Sequence, residues 1–113
     1  MSKRDWRLLL EDIEEAIQKI ERYVEGLRAE EFKATPMAVD AVVRNFEIIG
    51  EASRVMPEEI KRKLHDLPWN KMAGLRNRIV HEYFGVDLDN IWFIVQNELP
   101  ELKKQIQSAL KKK

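Results

Sequence analysis

The chain has 113 residues and no cysteine. Disulfide frameworks, thiolate nucleophiles and cysteine-built zinc sites are therefore excluded. Histidine is almost as scarce. His65 and His81 are the only two, and neither belongs to an H-E-x-x-H arrangement, so the sequence calls for no protein-built metal site and no cofactor. Glycine and proline number four each, too few to punctuate a sheet-rich fold. No apolar run approaches the length of a membrane span, and Met1-Ser2-Lys3-Arg4-Asp5 lacks the apolar core of a signal peptide. The expectation is a soluble, cytoplasmic protein with no membrane partner. Charge of one sign is also missing: 20 Lys and Arg face 20 Asp and Glu. No global field draws the protein onto nucleic acid, so phosphate binding must come from a local basic cluster.

What is present is helical. Hydrophobic residues make up 44% and charged residues 35%, a balance suited to long helices with charged outer faces. Trp6, Leu9, Leu10, Ile13, Ile17, Ile20, Val24 and Leu27 recur at helical spacing, with Ser2 or Asp5 as a cap and Gly26 as a stop. Glu30-Glu31-Phe32 reads as a short turn that tucks Phe32 inward. Thr35-Pro36 starts a second helix, with a capping hydroxyl and proline at the first position. Its apolar face runs from Ala38 through Phe46 to Val55. Arg44, Glu47, Glu51 and Arg54 share its polar edge, and Asn45 falls inside the apolar arc, where it needs a partner.

Pro57 ends that helix and opens a short one through Leu64. Leu67-Pro68-Trp69 starts another, which is expected to run on until Gly85 breaks it. Asp87 or Asp89 caps the last helix. Pro100 inside it should kink or split it, since a mid-helix proline costs roughly 3 kcal/mol. The closing lysines read as a solvated end. With no repeat or linker, residues 1–113 form one domain. The fold class expected is all-α, an antiparallel bundle of four to five helices.

The segment Arg76-Asn77-Arg78-Ile79-Val80-His81-Glu82-Tyr83 carries the chemistry. On a continuous helix at about 100° per residue, with Arg76 as zero, Asn77 lies near 100°, His81 near 140° and Tyr83 near −20°. Arg76, Asn77, His81 and Tyr83 then border one face, provided the helix reaches Tyr83. Arg78, near about 200°, turns away and suits a surface ion pair. A histidine with an ordinary pKa of about 6.5 can accept a ribose 2′-hydroxyl proton or protonate a leaving oxygen. Arginine holds phosphate in a planar, permanently charged fork. Asn77 and Tyr83 add hydrogen bonds that position substrate. Glu47 or Glu51 could orient Arg76. One such histidine per chain is thin for paired acid and base work, so a two-fold homodimer that places two motifs face to face is expected. His65, beside Asp66 near a helix end, reads as a surface residue, and Trp6, Trp69 and Trp92 read as core.

The same segment resembles the R-x-x-x-x-H-x-Y signature of HEPN-domain ribonucleases. The wider context is similar to their HepT branch, the toxins paired with MntA-type nucleotidyltransferase antitoxins. The matching stretches are Arg44-Asn45-Phe46-Glu47-Ile48-Ile49-Gly50-Glu51-Ala52, Leu67-Pro68-Trp69, Ala73-Gly74-Leu75-Arg76-Asn77, His81-Glu82-Tyr83-Phe84-Gly85-Val86-Asp87, and Ile94 through Leu102. They cover most of the chain in the family's order. The resemblance implies a homodimeric helical bundle with metal-independent endoribonuclease activity on RNA. It implies Arg76 and His81 as catalytic residues, and Tyr83 as the tyrosine on which the nucleotidyltransferase places AMP, silencing the toxin. A non-catalytic helical dimer that binds the nucleotidyltransferase or a nucleotide is the alternative. A purely structural dimer is a third reading, which leaves Asn45 and Glu47 unexplained.

Overall fold

The computed structural model describes residues 5–81 and 85–111. Helix α1 spans Trp6–Val24 and starts where Asp5 Oδ1 accepts the Arg7 N–H at 2.8 Å. It stops before Gly26, which takes φ +78°, a left-handed conformation that costs glycine little. Helix α2, Ala29–Lys33, begins where the Glu31 carboxylate accepts the Arg28 N–H, and it buries Phe32 completely. The Phe32 ring lies 5.2 Å from that of Trp92.

Helix α3 spans Pro36–Val55 with proline in its first turn. Thr35 sits at the capping position but does not cap: its Oγ1 donates to the Glu31 carbonyl at 2.7 Å. The hydroxyl closes α2 instead of opening α3, because the two helices are only three residues apart. The short helices α4, Glu58–Lys63, and α5, Trp69–Ala73, follow. The Trp69 indole donates to the Leu64 carbonyl at 3.0 Å and joins them.

Gly74 separates α5 from α6, Leu75–Ile79. After α6 the chain turns extended. Strand β1, Val80–His81, pairs antiparallel with β2, Gly85–Val86, in a two-residue ladder. Helix α7, Leu88–Phe93, passes without interruption through a π turn at Ile94–Glu98 into α8, Leu99–Lys111. Asp87 caps α7 by accepting the Asn90 N–H at 3.0 Å. Pro100 therefore does not split the helix. The Leu99 N–H reaches back to the Ile94 carbonyl, and this widened turn accommodates the amide that Pro100 lacks.

The fold is all-α. Where four to five helices were expected, the described residues form seven, six from α1 to α6 plus the continuous 88–111 helix. Two helices exceed the expectation: α2, which was expected only as a short turn, and α6, which Gly74 cuts from α5 where one helix was expected. Arg7 donates to the Leu110 carbonyl and Lys103 meets Glu21, so α1 and α8 run antiparallel. One core unites Leu10, Ile13, Ile17 and Ile20 of α1 with Val42, Phe46 and Ile49 of α3 and Ile106 of α8, all fully buried. At roughly 1.5–3 kcal/mol per large apolar side chain, this packing is the main stabilising term. Among the described residues, no helix is long and apolar enough to cross a membrane.

Candidate active site at the end of helix α6

Two contacts tie α5 and α6 to α3. Arg54 Nη1 donates to the Ala73 carbonyl at 3.0 Å, and Arg76 Nε lies 3.5 Å from Glu47 Oε2. Since 54 faces 73 while 47 faces 76, the helices cross antiparallel. Gly50 permits the close approach. A Cβ there would stand 3.3 Å from the Ala73 carbonyl oxygen and 3.4 Å from that of Met72.

Arg76 projects from α6 with 63% of its side chain exposed, and its partner Glu47 is 51% exposed. A carboxylate in that position fixes the guanidinium against α3 yet leaves much of its surface free for a second anion. Of the two carboxylates expected to orient Arg76, only Glu47 does so. Glu51 accepts from Arg54 Nη2 at 2.8 Å and thus steadies the arginine that holds Ala73. Asn77 is exposed beside Arg76.

The continuous helix expected through Tyr83 is not formed. Helix α6 ends at Ile79, and His81 lies two residues further on in β1, paired with Gly85. The helical angle assigned to position 81 therefore does not apply. The physical cause is capture of the terminal carbonyls. The Asn90 side-chain amide donates to the Arg78 carbonyl, and the Asp87 N–H donates to that of Ile79 at 2.6 Å. Both acceptors would otherwise serve amides four residues ahead in a longer helix. The β-branched pair Ile79-Val80 further weakens helical continuation. Gly85, expected to end the helix, instead takes φ +82° at the start of β2. Tyr83 lies outside the described residues.

Arg78 forms the ion pair expected of it. Its two terminal nitrogens meet Glu98 at 2.9 and 2.6 Å, with both side chains 30% exposed. That hydrogen-bonded guanidinium holds the Glu98 carboxyl below the usual carboxylate range, against the opposing effect of partial burial. His65 is exposed beside Asp66. Trp69 is buried, while Trp6 and Trp92 pack at the edge of the core. Asn45 is buried and donates to the Ala41 carbonyl at 2.9 Å. Its Oδ1 has no partner among the described residues.

Sequence reasoning missed the roles of Asn90, Arg54 and Gly50. Only Gly50 carried a readable signal, since glycine inside an apolar helical pattern marks a close backbone approach. Among the described residues, no group of three His, Asp or Glu side chains could hold a metal ion.

An all-helical domain thus presents an anchored, exposed arginine on a short helix that leads directly to a histidine. The sequence profile described as "Ribonuclease HepT-like" matches residues 13–109, and the chain belongs to that family. It is 39% identical over 107 residues to "Putative RNase MJ1380" of Methanocaldococcus jannaschii, covering 95% of this chain and 98% of that protein. "Putative RNase TTE0752" of Caldanaerobacter subterraneus is 40% identical over 106 residues, covering 94% and 95%. "Probable ribonuclease HepT" of Thermococcus cleftensis is 39% identical over 109 residues, covering 96% and 99%. No solved structure matches the chain at a significant level.

Proposed function

We propose that the protein is a metal-independent endoribonuclease, the toxin of a toxin–antitoxin pair, acting as a cytoplasmic two-fold homodimer. The observation that carries this reading is Arg76. It is anchored on one side by Glu47 and exposed on the other, five residues before His81, in a chain of the HepT-like ribonuclease family.

In this mechanism His81 of one protomer takes the proton of the ribose 2′-hydroxyl. The 2′ oxygen attacks phosphorus, and the bond to the 5′ oxygen breaks. The second protomer's histidine returns a proton to that leaving oxygen, giving a 2′,3′-cyclic phosphate and a free 5′-hydroxyl. Arg76 stabilises the charge that develops on the phosphoryl oxygens, and Asn77 and Tyr83 position the substrate. Control follows from Tyr83. A nucleotidyltransferase partner of the MntA type transfers AMP from ATP to the phenol oxygen, releasing pyrophosphate. The new anion competes with RNA for Arg76, and the nucleotide fills the entry to the site.

Purified protein should cut single-stranded RNA in the presence of EDTA. His81→Ala and Arg76→Ala should each abolish cutting while helicity by circular dichroism is retained. Truncating exposed Arg76 should shift stability by no more than about 0.5 kcal/mol. Equal cleavage by His81→Ala would sink the mechanism. Partner binding without any cleavage by the wild-type protein would favour the non-catalytic module. With the cognate nucleotidyltransferase and ATP, mass spectrometry should place the adduct on Tyr83. An adduct on Tyr23, half exposed on α1, would refute the control.

A further inference from the structure

The end of α6 is made by residues outside α6. Its last turn leaves the Arg78 and Ile79 carbonyls without helical partners, and both are taken by the start of α7. Asn90 donates its side-chain amide to Arg78 O, and Asp87 donates its N–H to Ile79 O at 2.6 Å. The two donors are themselves coupled, because the Asp87 carboxylate accepts the Asn90 backbone N–H at 3.0 Å. Asn90 therefore works at both ends: its backbone anchors Asp87, and its side chain holds the residue next to Ile79. The doubly bonded Arg78–Glu98 pair clamps the same residue from its side chain.

We infer that Asn90 is a positioning residue for His81: by holding the Arg78 carbonyl it ends α6 at Ile79 and fixes where β1 departs. The inference rests on the reading of His81 as the catalytic base. Without the Asn90 donor, the Arg78 carbonyl is free to accept an amide four residues ahead, and α6 can lengthen into the segment that carries His81. His81 would then travel around the helix axis instead of leaving it. Displacement of a catalytic group by about 1 Å can cost on the order of 100-fold in rate, so even a partial shift should be visible.

Asn90→Asp separates positioning from stability. Asparagine and aspartate have the same shape, but the carboxylate has no proton to give to the Arg78 carbonyl. It also sits in the first turn of α7, where negative charge favours the helix. The variant should keep the melting temperature of the wild type within a few degrees. The Asp87 amide, bonded to Ile79 O, should exchange with deuterium roughly ten times faster, as expected for a loosened local unit. On an RNA substrate kcat should fall on the order of 10- to 100-fold, with KM unchanged within a factor of about two, because Arg76 keeps its Glu47 anchor. Asn90→Gln, which retains a donor, should recover part of kcat. Unchanged protection of Asp87 in Asn90→Asp would overturn the inference, as would faster exchange with unaltered kcat. If the wild-type protein cuts no RNA, the proposed activity fails on its own. The Asp87 exchange still decides whether Asn90 holds the junction.

Discussion

Helices α1 and α6 show two ways of ending a helix. In α1 both limits lie within its own neighbourhood: Asp5 caps the first turn, and Gly26 reverses the backbone two residues after the last. Nineteen residues of uninterrupted periodicity bury seven side chains between these marks. In α6 only five residues are helical, and the end is set by Asp87 and by Asn90, twelve residues past the carbonyl it holds. The first arrangement makes a rigid strut. The second makes a junction whose geometry depends on another element, and His81 follows that junction.

The largest expected effect tests the strut. Ile17 is fully buried at the centre of α1, so Ile17→Ala should lower stability by about 2–5 kcal/mol in urea unfolding, from lost transfer energy and the cavity left behind. Amides of α1 should lose the same free energy of protection, because they exchange through global unfolding. Amides of α6 should lose less, having a local route already open. Equal losses in both helices would erase the distinction.

A smaller effect lies where α3 meets the junction. Gly50→Ala gains about 1 kcal/mol of helix propensity. Its methyl, however, would press on the Ala73 and Met72 carbonyls at 3.3 and 3.4 Å, and overpacking costs typically 1–3 kcal/mol. Both acceptors are backbone atoms tied into α5, so the cost should win and the net loss should be about 1 kcal/mol. A melting temperature above that of the wild type would mean that the α5–α6 junction yields freely.

These cases also separate what could be read in the sequence from what could not. The all-α class, α1 with its caps, the inward turn of Phe32, the Pro57 and Pro68 breaks and the Arg78 ion pair all follow from periodicity, local caps and helical spacing. The misplaced end of α6 does not. Nothing within residues 75–81 discloses that Asn90 will claim a carbonyl, and the helical position assigned to residue 81 inherited that error. The Thr35 hydroxyl failed for a related reason, since it donates to Glu31 O of the preceding turn and accepts no N–H of the helix it precedes. Glu47 and Glu51 share one polar edge, and only the crossing of α3 over α6 decides which of them meets Arg76. Local rules identify the residues, but tertiary hydrogen bonds arrange them.

The smallest effect concerns the other clamp on α6. Glu98 is held by Arg78 below the usual carboxylate range, so its charge is favoured in the folded state. A group with a depressed folded pKa contributes stability above its unfolded value, about 4.3 for glutamate, and loses it as pH falls through the folded value. The contribution of the Arg78–Glu98 pair should therefore be complete at neutral pH and decline in acid below about pH 4.3. The two side chains remain 30% exposed, and solvent screening discounts the pair to roughly 0.5–1 kcal/mol. Glu98→Gln should lose that amount at pH 7 in urea unfolding. The difference between variant and wild type should narrow as pH drops, because the wild-type carboxyl becomes neutral too. An equal difference at pH 7 and at pH 3 would show that Glu98 acts through packing. A difference confined to neutral pH would show that charge holds Arg78, and with it the side of α6 opposite Arg76.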